Sequence, residues 1–188
     1  ISKKQIWRPT EDVQFVFLCG ANIDTNTPSK RRQILLNFAS LNLPHTKFFL
    51  AESIFQILEA EGHKTNLIDI ENDLSKFADY VIVILNSKST FCELGAFATH
   101  KELRNKLIVI NDYKHKTSES FINLGPLQAI SEISNKKKVL FYNMDDEGKF
   151  YGDGIGDVFS ELYSLVNSSS RESGTVTIPT LGSMVQNG

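Results

Sequence analysis

Apolar residues in this chain fall into unbroken runs that alternate with segments where they recur every three or four positions. "VQFVFLCG" (13–20), "TKFFLA" (46–51), "DYVIVILN" (79–86), "KLIVIND" (106–112) and "KKKVLFYN" (136–143) are continuous and rich in β-branched or aromatic residues, which predicts strands buried on both faces. "PSKRRQILLNFASLN" (28–42) predicts a helix with Pro28 near its first turn and Ile34, Leu35, Phe38 and Leu41 on one face. "ESIFQILEAEG" (52–62) predicts a helix stopped by Gly62, and "LIDIENDLSKFA" (67–78) repeats at Leu67, Ile70, Leu74 and Phe77. "TFCELGAFATHKELRN" (90–105) and "DVFSELYSLVN" (157–167) predict two more helices, and 116–134 predicts loop and helix broken at Gly125–Pro126. Buried strands separated by helices predict a parallel sheet covered on both faces, a doubly wound α/β sandwich of three layers. Five strands in the order 2-1-3-4-5 are expected.

This pattern makes residues 1–167 one α/β domain. From 168 to 188 the chain turns rich in Ser, Thr and Gly without helical period, which reads as a tail or arm. The chain has 188 residues, 41% hydrophobic and 22% charged, as an ordinary globular protein has. A net charge of −2 argues against a generally basic nucleic-acid surface. No apolar run approaches the ~18 residues of a membrane span, so no membrane partner is expected. The two cysteines, Cys19 and Cys92, sit in apolar, element-like contexts, which reads as a reduced, cytoplasmic protein. The four histidines match no zinc spacing, and no metal is assigned.

Ligands of open α/β sheets bind outside the carboxyl ends of the strands. That rule selects Cys19, Gly20, Ala21 and Asn22 after the first strand, then Glu52 after the second. After the third it selects Asn86, Ser87, Ser89 and Glu93, and after the fourth Asn111 and Asp112. Glu93 is the most unusual, being set among Phe91, Cys92, Leu94, Ala96 and Phe97. Two readings stand side by side. Thr90-x-x-Glu93 has the spacing of a capping box, and an ionised carboxylate at a sheet crevice is what a nucleophile needs. Glu52 also suits the first turn of a helix, Asp112 suits a polar turn, and Cys19 beside Gly20 suits a small core residue. "GDGIGD" (152–157) has the wrong glycine spacing for a dinucleotide fingerprint and reads as a loop.

The ordered set "VFLCGANI", "FFLAESIF", "LIDIENDLSKFADYVIVIL", "STFCELGAF", "NKLIVIND" and "SFINLGP" resembles the nucleoside deoxyribosyltransferase-like family, and within that fold the effectors of bacterial retron anti-phage systems. The resemblance spans about residues 13 to 130. It implies a flavodoxin-like domain acting on an N-glycosidic bond, with Glu93 matching the nucleophile of the family's E-L-G motif. Gly20, Ala21, Asn22, Glu52, Asn86, Ser87, Ser89 and Asp112 would then bind sugar and phosphate. Asn123, in "FINLGP", matches a segment near a neighbouring subunit's active site, which implies a homodimer or larger assembly. In such effectors the reaction is hydrolysis of NAD or a nucleotide. These are substrates, and no cofactor is implied. The defence context also implies a reverse transcriptase–nucleic acid complex as partner. Two departures are visible. Phe17-Leu18-Cys19 replaces the transferases' orienting Tyr, and "NSKS" (86–89) lacks the Asp that precedes their nucleophile. These leave open a non-catalytic nucleotide sensor or scaffold and, more weakly, a salvage transferase.

Overall fold

The computed structural model describes residues 13–24, 27–60, 62, 66–143 and 154–169, so most of the expected tail lies outside the described residues. Along the chain come β1 (Gln14–Cys19), a short antiparallel ribbon of β2 (Asn22–Asp24) and β3 (Thr27–Pro28), then α1 (Lys30–Asn42) and β4 (Thr46–Phe49). Next are α2 (Ala51–Ala60), α3 (Leu67–Phe77), β5 (Tyr80–Ile84), α4 (Lys88–Thr99), α5 (Lys101–Arg104) and β6 (Leu107–Asp112). The chain closes with α6 (Gln128–Glu132), β7 (Val139–Tyr142) and α7 (Gly154–Ser169).

The unbroken apolar runs pair in parallel in the spatial order β4-β1-β5-β6-β7. Counted within this sheet, that is the expected 2-1-3-4-5, a flavodoxin-like α/β sandwich. Successive strand residues point to opposite faces, so each strand feeds two cores. Val16, Leu18, Ile82, Ile84, Ile108 and Ile110 pack with Leu35 of α1 and Leu162 of α7. Phe17, Cys19, Val81, Val83, Leu107 and Val109 pack on the other face with Leu94 and Phe97 of α4 and Ile130 of α6. Each such aliphatic side chain removed from water contributes about 1.5–3 kcal/mol. Aromatic stacking adds to both sides, Phe38 on Phe159 at 4.1 Å and Phe17 on Phe49 at 5.4 Å. No helix among the described residues is long and apolar enough to cross a membrane.

Several local expectations change. The inward face of α1 carries Arg31, Arg32, Leu35 and Ala39, whereas Leu41 is 82% exposed. The helix is rotated from its apolar stripe because Arg32 finds partners inside the protein. The helix expected over 90–105 divides at His100 into α4 and α5. Gly125–Pro126 does not break the 116–134 segment: a π-helical turn, Asn123–Leu127, runs through it into α6. Proline has no N–H for an ordinary helical bond, and a widened turn accommodates that. The glycines of "GDGIGD" are not all loop, since Gly154 and Gly156 lie in the first turn of α7. Gly62, with φ 80°, follows α2 and takes a left-handed conformation that suits a helix stop.

Candidate active site

Two structures meet at the carboxyl end of β1. The first is a buried polar knot. Arg32, with no exposed side-chain surface, leaves α1 and reaches over the strand end. Its Nη1 donates to the carbonyl of Gly20 at 3.0 Å, to Asn22 Oδ1 at 2.6 Å and to Glu52 Oε1 at 2.8 Å. Its Nη2 donates to the carbonyl of Leu18 at 3.1 Å and to Glu52 Oε2 at 3.2 Å. Asn22 Nδ2 closes the triangle by donating to Glu52 Oε1 at 3.0 Å. Burial alone would raise the Glu52 carboxyl, but the Arg32 bonds, its backbone contact and Asn22 hold it below its usual value. Gly20 is required here by space, because a Cβ would stand 2.5 Å from Arg32 Cγ and Cδ.

The second is a cavity of about 410 Å³ between α3 and the α4–α5 segment. Ile68, Ala96, Phe97 and Leu103 give it apolar walls, and Asp69, Glu71, Asn72, Ser89, Glu93 and His100 supply polar groups. Its size suits a nucleoside-sized ligand. Neither Lys nor Arg lines it among the described residues, so its charge is acidic.

Glu93 is half-buried in this cavity. It does not cap its helix. Ser87 is the N-cap and accepts from the Thr90 N–H at 3.3 Å, while Thr90 Oγ1 accepts from the Ser87 N–H at 3.1 Å. The box spacing seen at Thr90–Glu93 therefore sits one turn too late. Thr90 is itself the third helical residue, and Glu93 belongs to the second turn. Glu93 Oε2 is buried and, among the described residues, has no hydrogen-bond partner. Burial pushes the Glu93 carboxyl up. A hydrogen bond with the Cys19 thiol opposes this, the charge of Glu52 adds to it, and the charge of Arg32 opposes it. Cys19 is buried and its pKa is raised, by burial first and then by the charges of Glu93 and Glu71, so it stays a thiol and serves as donor.

Glu71, on α3, lies in the same cavity. Burial, then the charges of Glu93 and Glu52, push it up to about 7. The carboxyl-edge rule missed it because α3 precedes β5 instead of following a strand. The available signal was the polar "EN" of Glu71 and Asn72 between the apolar positions Ile70 and Leu74.

The structure brings only Ser89 and Glu93 of the nominated residues to the cavity wall. Gly20, Asn22 and Glu52 belong to the knot behind it. The Ala21 N–H donates to Asn86 Oδ1 at 3.1 Å, and Asn86 Nδ2 donates to Ser29 Oγ at 3.4 Å, so both tie the β1 and β5 ends to α1. Ser87 Oγ lies 2.9 Å from Ser89 Oγ. Asp112 is buried, accepts from the Lys114 N–H at 3.1 Å and pairs with Lys114 Nζ at 3.1 Å. Asn123 Nδ2 donates to the carbonyls of His115 and Ser118 at 2.8 and 2.7 Å. Neither Asp112 nor Asn123 lines this cavity.

The class defined by these features is a flavodoxin-like α/β domain with a carboxylate-lined cleft beside the end of its first strand. The chain belongs to the retron effector family: the family model described as STM3845 retron effector protein matches residues 28–180. It is 44% identical over 176 residues to the "Retron Ec73 putative ribosyltransferase/DNA-binding protein" of Escherichia coli, an alignment covering 91% of this chain and 56% of that protein. It is 34% identical over 139 residues to the Escherichia coli retron Ec86 protein of the same description, covering 72% of this chain and 43% of that one. The chain thus spans about half the length of these relatives.

Proposed function

We propose that this domain is the N-glycosidase part of a retron anti-phage effector, hydrolysing the bond between ribose and base in NAD or a nucleotide. Glu93 is the nucleophile. The observation that carries this reading is the Glu93 carboxyl, half-buried at the wall of a nucleoside-sized cavity and taking no part in its helix cap. The Cys19 thiol favours the ionised form of this carboxylate.

The acidic lining favours NAD among the candidate substrates. Its nicotinamide ring is cationic, and its departure leaves an oxocarbenium-like sugar that Asp69 and Glu93 stabilise by charge. The diphosphate would lie outside this acidic cavity. The ribosyltransferase half of the relatives' description fits such a site, whereas a chain of net charge −2 gives the DNA-binding half no general basic surface. Phe121 and Leu124, 82% and 65% exposed on either side of Asn123, support a subunit contact at this segment. Restraint by a reverse transcriptase–nucleic acid complex belongs to the same proposal, because a cell must hold such an activity in check.

The test is to incubate the protein with NAD, deoxynucleotides and nucleosides and to measure free base. Release by the wild type, reduced by orders of magnitude in Glu93→Gln, is expected. Undiminished release by that variant removes Glu93 from the reaction.

A further inference from the structure

The cleft extends well past Glu93. Ser89, Cys92, Glu93, Ala96, Phe97 and His100 all line it, and their spacing of three and four residues makes them one face of a helix. At 1.5 Å per residue that face is about 16 Å long, and Glu93 stands in its first half. Ser89 and the open carboxyl edge of the sheet lie to one side of Glu93. To the other side the α4–α5 wall carries no acid: Phe97 and Leu103 are buried, Ala96 is small, and His100 ends the row. His100 sits at the break between the two helices, with φ −92° and ψ 115°. Its N–H donates to the carbonyl of Phe97 at 3.2 Å, and its own carbonyl accepts from the Arg104 N–H at 3.0 Å, so its backbone is pinned from both sides. The residue flanks the start of α5, where a Ser, Thr, Asp or Asn would bond the free N–H groups. The imidazole does not do so. It is exposed and lines the cleft instead.

Resting on the N-glycosidase reading above, we propose that the arm of the cleft between Glu93 and His100 is a subsite for the nicotinamide ring, with His100 recognising its carboxamide. In a displacement at C1′ the base departs on the side away from the nucleophile. With the phosphates turned to the open carboxyl edge, this arm is the space left for the base. A flat heteroaromatic ring calls for apolar walls and a few polar contacts at its edge. Phe97, Leu103 and the Ala96 methyl supply the walls. A neutral imidazole offers one N–H donor and one acceptor nitrogen, which complements the carbonyl and the amide N–H of a carboxamide. Nicotinamide leaves as a neutral molecule, so a wall without charged groups on the α4–α5 side suits it once the bond to C1′ is broken. Free nicotinamide entering the empty arm then excludes the same ring of NAD, which makes it an inhibitor competitive with NAD.

The experiment measures NAD turnover, and its inhibition by added nicotinamide, in full-length wild type, His100→Ala, His100→Gln and Ala96→Leu. Thermal melting is the control for folding, and the variants are expected to melt with the wild type because both side chains are exposed. His100→Ala is expected to raise the KM for NAD and the inhibition constant of nicotinamide together, by ~3–10-fold, the weight of one lost hydrogen bond. His100→Gln, whose amide keeps a donor and an acceptor, is expected to recover most of both. Ala96→Leu narrows the arm and is expected to raise both constants. If NAD is hydrolysed and neither constant moves in His100→Ala or Ala96→Leu, the subsite is overturned and the N-glycosidase reading stands. Movement in Ala96→Leu alone overturns the role of His100. A wild type that releases base from nucleotides but not from NAD overturns the nicotinamide subsite. A wild type that releases base from neither overturns the N-glycosidase reading as well.

Discussion

Arg32 grips Glu52 with both terminal nitrogens, at 2.8 and 3.2 Å, while among the described residues Glu71 in the neighbouring cavity has no such counter-ion. Two acids on the same side of one sheet are therefore set in opposite senses, Glu52 held below its usual range and Glu71 pushed up to about 7.

Breaking the grip from the acid side strands a cation that has no exposed surface. Glu52→Ala is expected to cost about 3–5 kcal/mol in a urea titration. A loss below about 1 kcal/mol would show that Arg32 finds other partners.

Gly20 is fixed by the stem of the same arginine. Gly20→Ala is expected to lower stability by about 1–3 kcal/mol, since the new methyl overlaps Arg32 Cγ and Cδ. Truncating Arg32 in the same chain should remove most of that penalty, so the double-mutant cycle is the measurement that matters.

Glu93→Gln is expected to melt at or slightly above the wild-type temperature at neutral pH. Its cap is supplied by Ser87 and Thr90, and burial disfavours the charge that the substitution removes. Ser87→Ala, by contrast, should cost about 1 kcal/mol.

Glu71 gives the protein a pH-dependent stability. Its folded pKa, about 7, lies above the ordinary 4.5, so between these values the folded chain binds more protons than the unfolded one. Its contribution is present in full below pH 4.5 and is lost as pH rises through about 7. Denaturant midpoints measured across this window should fall with pH in the wild type and flatten in Glu71→Gln. An unchanged slope in that variant would place the titrating group elsewhere.

Cys92 is exposed and lines the cavity, whereas Cys19 is buried. Iodoacetamide is expected to label Cys92 alone in the folded protein and to inhibit base release, with Cys92→Ser resistant. Mass mapping of the adduct together with residual activity checks this.

The sheet was legible because a strand buried on both faces must be apolar throughout, as "YVIVI" of β5 is. The orientation of α1 was not, because a pattern rule treats Arg32 as solvent-seeking. Its burial depends on Glu52, Asn22 and two strand-end carbonyls that meet only in three dimensions. Glu93 stood out through its apolar neighbours, but its alternative role as a cap failed on a boundary. The helix begins at Lys88, so Thr90 already occupies the third position. Glu71 was hidden by a rule tied to strand ends, since its place in the cleft depends on how α3 packs across from α4.

The separation of labour along α4 has an evolutionary consequence. Ser87 and Thr90 start the helix and Glu93 is left free of that duty, so a lineage can mutate position 93 and keep a sound protein. Sequence change at this position is thereby uncoupled from the start of its helix.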